Sequence, residues 1–228
     1  MPTQFLGFDI YGTLVNPYAM SEHLRPFVGD QLADRFAELW REKQIEYSFR
    51  RGLMRCYADF GVCTRQALIY TARSLKVELS QEKEAAMIAQ YQHLPAFPDA
   101  ADGLRALKAR GHRLMAFSNG PEKNTRPLLR NVGLYDLVDD VVSVDDRQTF
   151  KPDPIVYQYL ITRLGGSAEQ TWVISSNPFD VLGAKHAGLH AAWVKRGADK
   201  IFDPWDIEPD LIVPDLGALA DALEIASR

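Results

Sequence analysis

Short apolar runs alternate with helical patterns along this chain, and that alternation admits few architectures. The runs cover residues 4–8, 113–117, 140–144, 172–174, 191–194 and 211–213, each the length of a buried strand. The helical patterns cover residues 100–110, 122–132, 154–164, 180–187 and 216–225. Parallel strands cannot be joined by a tight turn, so each pair needs a crossover, usually a helix. The sequence therefore predicts an α/β fold, with a central parallel sheet and helices on both faces.

The alternation fails once. Between residues 20 and 92 there is no convincing strand, and residues 21–28, 31–60, 64–75 and 80–91 all read as helix. Phe36, Leu39, Trp40, Lys43 and Tyr47 recur at helical rather than strand spacing. We expect an all-helical insert after the first strand. Asn16-Pro17 and Leu94-Pro95-Ala96-Phe97-Pro98 would be its hinges. The expected division is a core of residues 1–15 and 98–228 and an insert of residues 16–97.

Composition excludes several function classes. The 228 residues are 46% hydrophobic, enough for one large core carrying an insert. Net charge is −4 without a Lys/Arg run, so neither nucleic acid nor an anionic membrane is an expected partner. Arg50, Arg51 and Arg55 cluster near acids and read as a solvated helix face. Cys56 and Cys63 make no disulfide framework. The first residues lack a signal-peptide pattern, and no segment approaches the ~18 apolar residues of a membrane span. A cytoplasmic location with reduced thiols is expected. The histidines (His23, His93, His112, His186, His190) show no metal-ligand spacing.

Polar residues fall at the strand ends. Asp9 ends the first run, Ser118-Asn119-Gly120 the second and Ser175-Ser176-Asn177 the fourth, while Lys151 follows the third. Open parallel sheets bind ligands at the carboxyl ends of their strands. A fixed, ionised carboxylate there is a usable nucleophile. Gly12 permits a tight turn, and Thr13 can bond the backbone or the carboxylate. From its tripeptide alone, Asp9 reads equally as a helix N-cap.

Taken in order, Asp9-x-Tyr11-Gly12-Thr13, Ser118-Asn119-Gly120, Lys151-Pro152-Asp153 and Ser175-Ser176-Asn177-x-x-Asp180 make the chain resemble the haloacid dehalogenase superfamily over nearly its whole length. The resemblance implies a Rossmann-like core, and the insert looks like the superfamily's helical cap. Most members are magnesium-dependent phosphatases. They carry a general acid where this chain has Tyr11, and usually an Asp metal ligand where it has Ser176. A phenol of ordinary pKa near ~10 replaces that acid poorly, but a departing halide needs no proton. The segment from Leu39 to Tyr47 looks like the Arg-bearing cap helix of the L-2-haloacid dehalogenases.

That branch implies the following roles. Asp9 would displace halide and form an ester, with Lys151 keeping it ionised and Thr13 beside it. Arg41, Asn119 and the edge of Phe179 would cradle the halide. Ser118 and backbone N–H groups near Ile10 and Tyr11 would hold the substrate carboxylate. Tyr11, Ile45 and Phe60 would wall the reacting carbon. Asp180, Asn177 and Ser175 would position the hydrolytic water. Tyr157 would bond near Lys151, and Asp180 could also cap its helix. The implied partners are a small 2-haloacid and water, with no metal or cofactor and with a possible homodimer.

The branch pattern leads us to expect Gln at position 42 and Trp at 49 and 179. This chain has Glu42, Phe49 and Phe179, and the substrate's identity, including chloroacetate or fluoroacetate, stays open. A magnesium-dependent phosphatase and a catalytically silent binding protein of the same fold are the alternatives.

Overall fold

The computed structural model describes residues 3–226. Its strands are β1 (Phe5–Phe8), β2 (Arg113–Ser118), β3 (Asp140–Ser143), β4 (Thr171–Ser175), β5 (His190–Val194) and β6 (Leu211–Val213). All pairings are parallel, in the order β3-β2-β1-β4-β5-β6. β1 and β4 are adjacent although the chain leaves β1 toward one side of the sheet and enters β4 on the other. That reversal opens a crevice at their carboxyl ends. The register aligns Phe8 with Ala116 and with Ile174, so Asp9 emerges between the ends of β2 and β4.

Core helices cover both faces of the sheet: α5 (Ala100–Ala109), α6 (Glu122–Asn131), α7 (Pro154–Leu164), α8 (Pro178–His186) and α9 (Leu216–Ala226). The interiors of the central strands are accordingly apolar, with Leu6, Phe8, Val173 and Ile174 fully buried. Each such side chain contributes roughly 1.5–3 kcal/mol by leaving water. α7 starts where Asp153 caps the Ile155 N–H at 3.1 Å and Pro154 fixes the first turn.

Between β1 and α5 lie only helices among the described residues: α1 (Met20–Val28), α2 (Asp30–Met54), α3 (Phe60–Ser74), α4 (Gln81–Ala89) and short 3-10 turns. They form the helical cap. One expectation needs correction. The helix read over residues 31–60 ends at Met54, where Arg55 turns left-handed at φ 54. α3 then starts separately, with Asp59 accepting from the Val62 N–H. A left-handed cap on arginine is uncommon, so composition did not signal it.

Candidate active site

The site is built on the turn after β1. Thr13, Leu14 and Val15 N–H groups all donate to the Ile10 carbonyl, at 3.2, 2.9 and 2.9 Å. Gly12 makes this turn possible, because its φ of +100° strains any side chain. A Cβ there would also lie 2.8 Å from Ser176 Oγ. The turn therefore seats against the loop after β4.

Asp9 is largely buried, and its two oxygens have different partners. Oδ2 accepts from Thr13 Oγ1 at 3.0 Å and from Asn177 Nδ2 at 2.7 Å. Oδ1 accepts from Lys151 Nζ at 3.2 Å. Thr13 is fixed in turn by the Ser176 N–H, which donates to its Oγ1 at 2.8 Å.

Lys151 is 1% exposed, and its ammonium has an acceptor for each proton: Asp9, Asp180 Oδ2 at 2.8 Å and the Phe117 carbonyl at 2.9 Å. The Phe117 ring face lies 4.0 Å away. Burial pulls its pKa down, but Asp180 and Asp9 outweigh that, so Lys151 is held charged. Asn119 accepts from the Lys151 backbone N–H at 2.9 Å and seats the loop. Asp180 is fully buried, and its Oδ1 accepts from the Tyr157 hydroxyl at 2.8 Å. Burial, reinforced by the Asp9 charge, raises the Asp180 pKa against the opposing pull of Lys151 and Tyr157. Gly183 leaves room for Tyr157, since a Cβ there would collide with the phenol oxygen. A second correction concerns this segment. Asp180 does not cap its helix; α8 begins at Pro178, with Asn177 at the N-cap position.

The cap reaches the site through Arg41 on α2. Its Nη2 donates to the Tyr11 carbonyl at 3.1 Å and to Asn177 Oδ1 at 3.3 Å. Tyr11 is wedged edge-on against Tyr91 at 5.9 Å between ring centroids. Burial, with Tyr91 adding and Arg41 opposing, lifts its phenol well above the ordinary tyrosine range. Tyr11 therefore stays neutral and is a worse proton donor than a free phenol. Phe179 meets Phe49 of α2 edge-to-face at 5.1 Å, and Phe60 packs near Phe150 at 6.2 Å. Ile45 lies one helical turn beyond Arg41 and is half-buried; Glu42 is exposed.

Asp9, Thr13, Arg41, Lys151, Tyr157, Asn177 and Asp180 thus form one connected hydrogen-bond network. Ser175 joins it by accepting from the Asn177 N–H at 3.1 Å. Ser118 is turned to its own loop, accepting from the Gly120 N–H at 2.9 Å, which leaves its O–H to donate. The Ile10 side chain belongs to the core, so Ile10 offers the site its backbone alone. Sequence reasoning missed the Phe117 carbonyl, Tyr91, Arg196 and Trp193, whose Nε1 holds the Ser176 carbonyl at 3.1 Å. Phe117, Trp193 and Arg196 lie at or just beyond strand ends, so the same strand-end rule could have found them. Tyr91 carried no such signal.

Among the described residues, no three of His, Cys, Asp and Glu cluster closely enough to hold a metal ion. Nor is any described helix long and apolar enough to cross a membrane. A groove of about 890 Å³ follows the seam between cap and core, with Phe49, Leu53, Lys151, Phe179 and Trp205 among its walls.

Residues 6–188 match the family model for haloacid dehalogenase-like hydrolases. The chain belongs to that family. Within it, the chain falls in the L-2-haloacid dehalogenase branch and is a hydrolase acting on carbon–halogen bonds. It is 33% identical to haloacetate dehalogenase H-2 of Moraxella sp. (strain B), over 96% of this chain and 97% of that one. It is 34% identical to the (S)-2-haloacid dehalogenase of Pseudomonas putida, over 96% of each. Its structure matches L-2-haloacid dehalogenase from Xanthobacter autotrophicus with a TM-score of 0.91 and 32% identity, covering 98% of this chain and 99% of that one. That relative's structure carries chloropropionic acid covalently bound.

Proposed function

We propose that this chain is an (S)-2-haloacid dehalogenase, converting short L-2-haloalkanoic acids to D-2-hydroxy acids through an ester on Asp9, without a metal. The carrying observation is the asymmetry of the Asp9 carboxylate. Oδ2 has two neutral donors, whereas Oδ1 has, among the described residues, only the Lys151 ammonium. Oδ1 therefore has a lone pair available to attack.

In the first step Oδ1 attacks the halogen-bearing carbon in line. The oxygen–carbon bond forms, the carbon–halogen bond breaks, and its electron pair leaves with the halide. Configuration at carbon inverts. Arg41, with Asn119 and the Phe179 edge, stabilises the halide. Ser118 and the backbone at Ile10 and Tyr11 hold the substrate carboxylate, while Tyr11, Ile45 and Phe60 line the carbon.

In the second step a water oriented by Ser175 and Asn177 gives a proton to Asp180 and attacks Cγ of Asp9. Charge develops on Oδ2, where Thr13 and Asn177 already donate. Breaking the Cγ–Oδ1 bond releases the product alkoxide, which takes the proton back from Asp180, and the regenerated Asp9 carboxyl gives up to solvent the remaining proton of the attacking water. Lys151 sits beside Oδ1 and stabilises that departing oxygen. The product hydroxyl oxygen thus comes from Asp9, and the water oxygen stays on Asp9.

A phosphatase mechanism would need an acid near Asp9, and the neutral, strongly raised phenol of Tyr11 does not supply one. The test is halide release from each enantiomer of 2-chloropropionate, with and without EDTA. The account expects L-selective, EDTA-insensitive release. Preference for the D enantiomer, or phosphate-ester hydrolysis dependent on Mg²⁺, would contradict it.

A further inference from the structure

Arg196 lies two residues beyond β5, outside the set of side chains that surround the reacting atoms. Its side chain is 8% exposed. Nη2 donates to the Thr13 carbonyl at 2.6 Å, and Nη1 donates to Asp99 Oδ1 at 2.7 Å. The guanidinium stacks over the Phe97 ring at 4.0 Å. Among the described residues its buried Nε has no hydrogen-bond partner, so its polar contacts are those of Nη1 and Nη2. Asp99 also accepts the Leu216 N–H through Oδ2 at 2.7 Å. Burial pushes the Asp99 carboxyl up, yet Arg196 and that N–H outweigh it and hold the group below its ordinary value.

These contacts fall where the chain crosses between core and cap. The outgoing and returning segments are zipped together: the Asn16 N–H donates to Pro95 O at 2.8 Å, and the Phe97 N–H to Leu14 O at 2.9 Å. Arg196 fastens this zipper to the core through Phe97 and Asp99. It also grips Thr13, the residue whose hydroxyl holds Asp9 Oδ2. Thr13 is thus fixed at its hydroxyl by Ser176 and at its carbonyl by Arg196.

We infer that Arg196 is a positioning residue for the nucleophile: by pinning the Thr13 carbonyl and the cap's return crossing together, it sets the orientation of the Asp9 carboxylate. It touches no substrate and acts through Thr13. A planar two-pronged cation is needed, because one lysine ammonium cannot span Thr13 and Asp99 while stacking on Phe97.

The test compares Arg196→Ala and Arg196→Lys, each in the natural protein and in Thr13→Val, by halide release and by amide hydrogen exchange. In the natural background Arg196→Ala should lower kcat about tenfold or more with KM within about threefold, and Arg196→Lys should lie between. In the Thr13→Val background, adding Arg196→Ala should cost less than about twofold, because the route to Asp9 is already cut. Exchange should accelerate at Asn16 and Phe97 but not in β2, which separates the zipper from general unfolding. Equal losses in both backgrounds, or a loss confined to KM, would overturn the positioning role. Unchanged exchange at Asn16 and Phe97 would overturn the fastening itself. Absence of halide release from the natural protein would instead sink the dehalogenase reading, and the exchange result would still decide the fastening.

Discussion

Asn177 Nδ2 and Asp9 Oδ2 are 2.7 Å apart, and this bond distinguishes the two oxygens of Asp9, the proposed nucleophile. The same amide donates to the Tyr11 carbonyl at 3.0 Å, and its oxygen accepts from Arg41. Asn177 therefore couples Asp9, the turn after β1 and the cap arginine. Asn177→Asp would set a second carboxylate against Asp9. Halide release should fall by at least about 100-fold, from repulsion and the lost donor together. Steady-state halide assay measures this, and a loss below about threefold would speak against the assignment.

Asp180→Asn should separate the two chemical steps. Asp9 and Lys151 remain, so halide should be released once per active site and turnover should then stall. Mass spectrometry of the stalled protein should find the acyl group on the peptide containing Asp9. Unabated turnover would remove Asp180 from the hydrolytic step.

The acid limb of the hydrolytic step should report Asp180, which must be ionised to take a proton from water. Burial raises its pKa, so the limb should lie above the ordinary carboxylate value near ~3.9. The Tyr157 hydrogen bond lowers that pKa. Tyr157→Phe should therefore move the limb to higher pH; a pH profile of single-turnover hydrolysis reads the direction. An unmoved or downward limb would contradict this source of the shift.

Lys151→Met should destabilise the fold as well as stop the chemistry. It would leave two buried carboxylates without their shared cation, a change that costs about 3–5 kcal/mol in comparable buried pairs. The folded variant would then bind a proton that the unfolded chain releases more readily. Its deficit should shrink as pH falls. Urea unfolding of both proteins at neutral and mildly acidic pH tests both the size and the sign.

Tyr11→Phe should retain halide release within about fivefold, since halide departs without a proton. A loss near 100-fold would mean that the phenol takes part in the chemistry.

The fold was legible because apolar runs, parallel crossovers and strand-end polar residues all point to one architecture. The turn at Arg55 was not, because a left-handed cap is usually glycine. In the site, Asp9 and Lys151 could be read from strand-end position. Their asymmetry could not, since it depends on Asn177 lying 168 residues from Asp9 in sequence. Arg196 is more distant still, 183 residues from Thr13: its place just beyond β5 marks the sheet edge it faces, but not the carbonyl it meets. Helix signals are local, whereas which donor meets which oxygen is decided by the register of β1, β4 and β5.

The central claim is the ester on Asp9, and a single turnover in ¹⁸O-labelled water with enzyme in excess tests it most directly. The account predicts that the label is found in the Asp9 carboxylate while the hydroxy acid carries unlabelled oxygen. Label appearing directly in the product, with none on Asp9, would contradict it.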